Sequence, residues 1–184
     1  MKMNEWLKTD LAELYALVEK IDALELETAC RQIMDAERVF VHGKGRSGLV
    51  MEMFAMRLMQ AGLSAFVVGA STTPAIREGD LLVAGSGSGE TAGVVSAARK
   101  AVEVKAGLVA ITSRADSTLG KLADCRVIIP GETTKINLDQ ESRIPLGSVL
   151  EQALLVMLDS ASAYIAESLR QSNRMMMARH ANLE

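Results

Sequence analysis

The stretch that decides the fold is VFVHGKGRSGLVMEMF, from Val39 to Phe54. A short β-branched run ends at His42 and is followed by a glycine loop and then by apolar residues at helical spacing. This is the strand, loop and helix pattern of an α/β protein, in which the loop after the strand carries the function. The stretch raises the question of which ligand its glycines, Gly43, Gly45 and Gly48, accommodate.

Four more β-branched runs follow along the chain: AFVV, DLLVAG, GLVAIT and CRVIIP. Glycine-bearing loops separate them, and apolar spacing predicts helices at 48–61, 91–104 and 117–122 between the runs. Strands that are apolar throughout are buried on both faces, as in a parallel sheet covered by helices. The sequence therefore predicts an α/β fold, a three-layer αβα sandwich with a five-stranded parallel sheet.

Helical patterns flank this core. Apolar residues at threes and fours up to about residue 36 predict two N-terminal helices, and a long C-terminal helix is predicted from about Ser148 to Leu169. We expect a single domain over 1–184, with the N-terminal helices in 1–36, the sheet and its loops in 37–146, and the C-terminal helix and tail in 147–184. The tail contains Met175 to Met177 in a row, which make a poor water-exposed surface. We expect it to pack on another subunit.

The composition narrows the class of protein. With 184 residues, 49% of them hydrophobic, and a formal net charge of −3, the chain is long enough for one compact domain. No cluster of Lys and Arg exceeds a pair, which argues against nucleic acid or an acidic membrane surface as a partner. The first residues lack an apolar signal core and no apolar run reaches the ~20 residues of a membrane span. We therefore expect a cytosolic protein, with Cys30 and Cys125 as buried thiols.

The first glycine loop matches G-x-G-x-x-G, yet its surroundings argue against a dinucleotide. Such a site needs an acidic residue roughly 20 positions further on to hold the ribose hydroxyls. The chain there, 66–71, contains none. A P-loop is disfavoured as well, because Leu49 and Val50 stand where Lys and Ser or Thr should follow the second glycine.

The second unusual loop is GSGSGET, from Gly85 to Thr91. Its glycines let the backbone curl close to an anion, and the predicted helix that follows offers free amides and the positive end of its dipole to a phosphate. An alternative is that Ser88 only caps this helix. The combination of Ser86, Ser88 and Thr91 hydroxyls with the glycines favours a cradle for one phosphoryl group.

These motifs together resemble a known family. GKGRSG after the first strand, SGSGET after the third and ESRIPLGSVLEQ before the long helix resemble the sugar isomerase (SIS) domain family, and with the C-terminal HANLE they resemble its 6-phospho-3-hexuloisomerases. The resemblance covers nearly the whole chain. It implies the flavodoxin-like SIS fold, isomerisation of a sugar phosphate in the ribulose monophosphate route of formaldehyde assimilation, assembly into dimers or tetramers, and no metal or organic cofactor.

The resemblance also implies roles for individual residues. It assigns the substrate phosphate to four hydroxyls, Ser47, Ser86, Ser88 and Thr91. Further substrate-binding residues are expected at Gly45, Arg46 and Gly87. A guanidinium offers a planar fork to oxyanions, which favours Arg46 as a ligand of the phosphate or of the enediolate, although a surface arginine is the competing interpretation. Lys44 is a weaker candidate for the same role.

Moving a carbonyl between neighbouring carbons requires a base that takes a proton from one carbon and returns it to the other through an enediolate. Glu151 is the candidate, because it begins an otherwise apolar helix where closure over substrate would desolvate it. Ser148 and Glu151 also have the spacing of a capping box, so that cap and base both stay open from the residues alone. The resemblance favours the base.

His180 is the second catalytic candidate. A histidine near a chain terminus is commonly a solvated surface residue, but in the SIS isomerases a histidine from a neighbouring subunit serves ring opening or proton shuttling. RHANLE resembles that family's tail, so the site is expected to be shared between subunits. His42 is interpreted first as a packing residue and second as a ligand. In DQESRIP, Glu141 and Arg143 are expected to order the loop, and Ser142 to lie near the sugar.

Other functions remain in competition. Arabinose 5-phosphate isomerases share the SIS core but generally carry a pair of CBS modules, for which this chain has no room. A zinc-dependent sedoheptulose 7-phosphate isomerase is disfavoured because His42 and His180 have no ligand spacing with acids. A non-catalytic sugar-phosphate sensor would usually add a helix-turn-helix domain with a basic surface, which the opening helices lack.

Overall fold

The computed structural model describes residues 2–131 and 142–183 of the chain. The strands in these ranges are β1 Val39–His42, β2 Ala65–Val67, β3 Leu81–Gly85, β4 Gly107–Thr112 and β5 Cys125–Ile128. The helices are α1 Met3–Val18, α2 Ala23–Asp35, α3 Gly45–Gln60, α4 Ala92–Glu103, α5 Thr118–Leu122, α6 Ser148–Ser168 and α7 Asn173–Met177. The predicted strands and the two N-terminal helices are confirmed.

The strands form one parallel sheet in the order β2-β1-β3-β4-β5. The chain leaves β1 toward β2 on one side and later returns to place β3 on the other side. The order therefore reverses at β1 and opens a crevice between the carboxyl ends of β1 and β3, the position where ligands bind in sheets of this kind.

Alternate side chains of each strand enter two different cores. Val39 and Val41 of β1 pack with buried residues of α2, α3 and α6. Phe40 points to the opposite face, where it packs with α4 and α5. Because strand side chains alternate with a period of two, one apolar run feeds both helical layers. The structure confirms the three-layer αβα sandwich.

The predicted start of α3 shifts, whereas α6 starts at Ser148 as predicted. α3 begins at Gly45, not at 48, because this glycine adopts a φ of +60° that allows the chain to turn directly into the helix. α6 is preceded by Gly147 as its N-cap residue, and Ser148 is already inside the helix. The glycine loop after β1 is thus short, and its Arg46 and Ser47 lie in the first turn of α3.

α1 is the least buried of the long helices. It has no buried residue, and its contact with the core comes from partly buried residues such as Leu14 and Leu17 that pack toward the α6 layer. Leu7 and Leu11 are 60% and 66% exposed. The periodic apolar face that predicted this helix is therefore only half covered by its own chain.

α6 is, among the described helices, long and apolar enough to cross a membrane by length and composition. Half of its apolar window is buried inside the fold, where Ala153, Leu154 and Ile165 belong to the core. A buried core helix can match a membrane span in length and composition, so one such helix is weak evidence for a membrane protein. The prediction of no membrane span is therefore kept.

The two cysteines are free and buried, as expected. Burial raises the pKa of the Cys30 thiol to about 11. Both thiols therefore stay protonated near neutral pH and act as small apolar side chains.

Candidate active site

A cleft of about 330 Å³ opens at the switch point of the sheet. It is formed by the start of α3, the loop from β3 to α4, and the start of α6. Of the site residues predicted from the sequence, His180 and Ser142 do not line it, and the following do: Gly45, Arg46, Ser47, Ser86, Gly87, Ser88, Thr91 and Glu151. Lys44, Gly85, Gly147 and Leu150 complete the lining. The cleft thus brings together three segments that are far apart along the chain.

The glycines of the first loop are explained by close packing of its own backbone. A Cβ on Gly48 would lie 2.9 Å from the carbonyl oxygen of Gly43, so a side chain there would push the loop apart. Gly45 supplies the left-handed turn into α3. The G-x-G-x-x-G spacing therefore has a steric origin that requires no dinucleotide.

The second loop presents a cluster of hydroxyls. The Ser86 and Thr91 hydroxyl oxygens lie 2.9 Å apart, and Ser86 also accepts from the backbone N–H of Gly89 at 3.2 Å. Ser88 accepts from the N–H of Glu90 at 3.2 Å, which is a local turn. The N-cap residue of α4 is Thr91, so the alternative of Ser88 as the helix cap is wrong.

Backbone amides of this loop are also available to a ligand. Within 2–131 and 142–183, the N–H groups of Gly87, Ser88 and Thr91 donate to no protein acceptor. They stand beside the N-terminus of α4, where the helix dipole favours an anion. The loop can therefore supply both hydroxyl and amide donors to a phosphate.

The carbonyl of Gly87 is held from below by the end of β4. It accepts from the Ser113 N–H at 3.0 Å, the Ser113 hydroxyl at 2.7 Å and the Thr112 hydroxyl at 3.1 Å. These two residues were not predicted from the sequence. The signal that could have found them is their place directly after an apolar strand, at the edge of the sheet where the other loops meet.

A second brace joins the loop to α5. Glu90 accepts from the Thr118 N–H at 2.7 Å, and this hydrogen bond lowers the pKa of the Glu90 carboxyl. Gly89 accepts from the Leu119 N–H at 3.0 Å. Gly89 itself has a φ of +66°, and a Cβ there would lie 2.0 Å from the Ser117 hydroxyl. Only glycine fits this position.

Glu151 reaches the cleft from the first turns of α6. It is 5% exposed and forms an ion pair and hydrogen bond with the Arg46 guanidinium, whose side chain is 61% exposed. Its backbone N–H donates to the carbonyl of Gly147 in the normal helical pattern. A buried carboxylate therefore faces the same space as the hydroxyl loop.

The predicted capping box at this helix is wrong. The N-cap is Gly147 without a side-chain cap, and the Ser148 hydroxyl donates to the carbonyl of Pro145 at 2.9 Å. The turn that leads into the helix, in which Leu146 has a φ of +57°, starts α6 one residue earlier than the serine pattern suggests. Glu151 is thus one residue beyond the N3 position, from which its side chain could accept a hydrogen bond from the N-cap backbone N–H.

His180 lies in a different place. It lines an open groove of about 690 Å³ that runs between the end of α3, the second half of α6 and α7. Its ring Nδ1 lies 3.0 Å from the carbonyl oxygen of Ala181. Arg179 holds this tail on its own chain by donating to the Gln60 carbonyl at 3.0 Å and to the Gln171 side chain at 3.1 Å. A single chain does not bring His180 to Glu151.

His42 ends β1 and is 6% exposed. It lines a small cavity of about 160 Å³ next to the cleft, together with Lys44 and Glu52. Burial lowers the pKa of the His42 imidazole, the positive charge of Lys44 lowers it further, and a backbone contact at Gly93 opposes the shift. This agrees with the interpretation of His42 as a packed residue at the edge of the site.

The segment before α6 turns toward α1. The Ser142 hydroxyl and the Arg143 N–H both hydrogen-bond to Glu13 of α1, at 2.6 Å and 3.1 Å. Ser142 is therefore bound to α1 and is not among the residues that line the cleft. Glu141, the expected partner of Arg143, lies outside the described residues. In the described part of the chain, no three His, Cys, Asp or Glu side chains cluster as a metal site would need.

Comparison with known proteins identifies the family of the chain. Residues 32–157 match the SIS domain family. The chain is 44% identical over 165 residues to a protein of Mycobacterium gastri named 3-hexulose-6-phosphate isomerase, with 90% of this chain and 83% of that one covered. It is 36% identical over 185 residues to a protein of the same name from Bacillus subtilis (strain 168), with both chains covered completely.

A solved structure is similar over the whole chain. The crystal structure of a protein from Methanococcus jannaschii, from which a function of 3-hexulose-6-phosphate isomerase was inferred, is 30% identical and superposes with a TM-score of 0.84. The alignment covers 98% of this chain and 99% of that one. The chain belongs to the SIS domain family and is a sugar phosphate isomerase.

Proposed function

We propose that the protein interconverts 3-hexulose 6-phosphate and fructose 6-phosphate through an enediolate, with Glu151 as the general base. The observation that carries the proposal is the buried Glu151 carboxylate facing the hydroxyl loop across one cleft. The printed names of relatives at 44% and 36% identity support the choice of this sugar. Beside an enzyme that condenses formaldehyde with a pentulose phosphate, the reaction would serve formaldehyde assimilation or detoxification.

The reaction is a balanced proton transfer. The base removes the proton on C2, next to the C3 carbonyl, and the electrons move to the C3 oxygen to give the enediolate. The hydroxyl proton on O2 then passes to O3, and the protonated base returns its proton to C3, which leaves the carbonyl at C2. Substrate and product have the same oxidation state overall, so one carboxylate can serve both steps.

The phosphate anchors the far end of the sugar. Ser47, Ser86, Ser88 and Thr91 supply hydroxyl donors, and the free amides of Gly87 and Ser88 add donors at the start of α4. A phosphate held there would place the sugar carbons toward Gly147 and Glu151 on the other side of the cleft. Binding energy from the phosphate would then be used to position the reacting carbons.

Arg46 has two successive roles in this scheme. In the cleft without substrate its guanidinium engages one carboxylate oxygen of Glu151. Its side chain is 61% exposed, so it has room to move. When the sugar enters, the guanidinium is drawn to the phosphate or to the enediolate oxygen, and the carboxylate oxygen becomes available to the proton on carbon.

We further propose that the protein self-associates as a dimer or tetramer and that His180 of a second copy completes the site. His180 lies outside the cleft of its own chain, in an open groove. Met175 and Met177 in the tail are 43% and 69% exposed, and Leu7 and Leu11 on α1 are open to solvent. Apolar faces of this kind are covered when copies of a chain assemble.

We keep the expectation of a cytosolic protein without a nucleic-acid or membrane partner. Its support is the burial of half of the apolar window of α6 within the fold, together with the acidic balance of the whole chain. No cofactor has a role in the proposed steps, since the proton transfers are carried by side chains.

The first experiment measures fructose 6-phosphate formed from 3-hexulose 6-phosphate that is generated in place from formaldehyde and ribulose 5-phosphate. We expect Glu151→Gln to lower kcat by about 100-fold or more, because general base catalysis typically contributes that much. Glu52→Gln is the matched control, a carboxylate on α3 that lines the neighbouring cavity but not the cleft. Circular dichroism and Tm show that both variants keep the fold.

The outcomes separate the alternatives. Full activity of Glu151→Gln would remove Glu151 as the base. If the wild type binds the sugar phosphate without turnover, the protein is a sensor, and if it turns over only arabinose 5-phosphate, the substrate is a different member of the same class. Equal losses in Glu151→Gln and Glu52→Gln would show a general effect of carboxylate removal.

A further inference from the structure

Lys44 is a cleft residue that the sequence ranks behind Arg46 as a ligand and to which the proposed chemistry gives no role. It is the N-cap residue of α3, without a side-chain cap hydrogen bond, and it lines both the cleft and the smaller cavity at His42. Its side chain leaves α3 and crosses to α4. The Lys44 Cε lies 3.4 Å from the point where a Cβ on Gly93 would stand.

This position is electrostatically unfavourable for a lysine. Gly93 is the second residue of α4, so the Lys44 side chain runs beside the positive end of that helix dipole. A cation is normally destabilised at a helix N-terminus and stabilised at the other end. Among residues 2–131 and 142–183, the Lys44 ammonium has no carboxylate within salt-bridge distance and no hydrogen-bond partner.

The charges that line the cleft are unbalanced without a ligand. The charged side chains among the described lining residues are Lys44, Arg46 and Glu151. Arg46 and Glu151 form an ion pair, so the positive charge of Lys44 is not balanced by another of these lining residues. A phosphate monoester carries about −1.5 to −2 charges at pH 7, so it needs more than the neutral hydroxyls and amides of the loop.

We propose that Lys44 is a substrate-binding residue. Its ammonium, beside the first turn of α4, is the positive charge that attracts the substrate phosphate. The proposal rests on the proposed function and adds a residue to the same site. Lys44 binds the phosphate as a point charge from the side of α3, while the Ser86 to Thr91 loop supplies the directed donors. The phosphate would bridge the starts of α3 and α4.

His42 is a built-in reporter for this contact. Its imidazole shares a cavity with Lys44 and Glu52, and its pKa is lowered by burial and by the Lys44 charge. The chain has only one other histidine, His180, which lies in the separate groove. An anion that binds Lys44 offsets the lysine charge at His42 and leaves His180 unchanged.

The kinetic test compares Lys44→Met, which keeps the apolar stem, with Lys44→Arg, which keeps the charge. The control is Lys100→Met, at the other end of α4, where Lys100 pairs with Glu103 at 2.9 Å. We expect Lys44→Met to raise KM for the sugar phosphate about 10- to 100-fold with kcat within about threefold, the size of a lost charged hydrogen bond. Lys44→Arg is expected to stay within about fivefold of the wild type, because its charge remains.

The binding test uses inorganic phosphate and the imidazole NMR signals, and it requires no turnover. Adding phosphate to the wild type should raise the pKa of His42, which its imidazole signals report directly, and should leave the His180 signals in place. Lys44→Met should need at least about tenfold more phosphate for the same half-change, since it has lost the charged partner. Lys100→Met should match the wild type.

Two results would overturn the assignment. One is an unchanged phosphate midpoint in Lys44→Met. The other is an equal rise in Lys44→Met and Lys100→Met, which would show a general charge effect. If the wild type turns over no sugar phosphate but the phosphate midpoint still depends on Lys44, the proposed reaction fails and the binding role of Lys44 stands.

Discussion

The cleft that contains Glu151 and the groove that contains His180 differ in shape and in lining. The cleft at the switch point is narrow, holds a buried carboxylate opposite a braced hydroxyl loop, and is lined by residues of one chain. The groove that holds His180 is wider and open, and Met177 in its wall is 69% exposed. The cleft is organised for a small anion, whereas the groove has the apolar character of a surface that meets another protein.

The difference separates what one chain can do from what needs two. The proposed phosphate binding and proton abstraction require only residues that line the cleft. Any role of His180 in the reaction requires a second copy, because its own chain holds the tail against the end of α3 through Arg179. Variants of the cleft should therefore act within each chain, and variants of the groove should act between chains.

The largest effect should come from Gly89→Ala, which attacks the cleft. The new Cβ would collide with the Ser117 hydroxyl at 2.0 Å, so the loop must move away from its brace on α5. We expect kcat/KM to fall by about 100-fold or more, because several donors to the phosphate are displaced together. The assay is turnover of the sugar phosphate, with Tm measured alongside.

Gly69→Ala is the matched control for Gly89→Ala. Gly69 also has a positive φ, +99°, but a Cβ there would have nothing within 4 Å. It should cost only the left-handed backbone penalty of about 1–2 kcal/mol, with near-normal activity. Equal activity losses in the two variants would show that backbone strain, and not the collision with Ser117, is responsible.

The next largest effect tests the groove. We expect His180→Ala to lower kcat by about 10- to 100-fold, at the lower end of proton-transfer catalysis, because its role is supportive. The decisive measurement mixes His180→Ala with Glu151→Gln after subunit exchange. If each site takes Glu151 from one chain and His180 from the other, about a quarter of the wild-type activity should return in a dimer, because half of the dimers are mixed and each has one intact site.

No recovery after verified subunit exchange would mean that His180 acts within its own chain or not at all. Mass spectrometry of the mixture confirms that mixed assemblies form. A His180→Ala variant with full activity would remove the histidine from the reaction and leave the groove as an assembly surface.

The smallest effect compares the two histidines as determinants of stability. Burial lowers the pKa of His42 from its ordinary value of 6.5, so the unfolded chain takes up this proton at a higher pH than the folded one. The contribution of His42 to stability is thus complete above pH 6.5 and is lost as the pH falls from there through the folded pKa. His42→Gln should reduce the fall in Tm between pH 7.5 and pH 5.5 by about 2 °C.

His180→Gln is the control, since His180 is exposed in the groove. It should leave the pH dependence of Tm as in the wild type. An unchanged pH dependence in His42→Gln would show that the acid loss of stability comes from other groups.

Much of the fold could be predicted because each strand has a recognisable local sequence pattern. Runs such as GLVAIT are apolar on both faces, and this requires helices above and below. The strand order could not be predicted in the same way, because it depends on which strand β1 meets across the sheet. Which strands pair with β1 depends on how the two core clusters pack on either face of the sheet, one with Val39 and the other with Phe40.

The two loops of the cleft were predictable for a related reason, whereas Glu151 was assigned to the site by the family resemblance. The loops after β1 and β3 had unusual chemistry, and parallel strands bring their carboxyl ends to one edge. The supports were harder to foresee: Ser113 and Thr112 are ordinary residues until their hydroxyls are seen on the Gly87 carbonyl. The prediction of a capping box was wrong because the turn at Pro145 and Leu146 redirects the chain. The Ser148 hydroxyl donates its hydrogen bond to the Pro145 carbonyl instead.

The three hydrogen bonds on the Gly87 carbonyl have a consequence for the speed of recognition. A loop that is already fixed by folding loses little conformational entropy when its ligand arrives, so the ordering cost does not subtract from affinity. Encounter then needs no slow rearrangement of this loop, and capture of the phosphate is governed by diffusion and by long-range attraction to the positive cleft. The end of β4, which lines no part of the cleft, thereby spares the loop an ordering step when the proposed phosphate arrives.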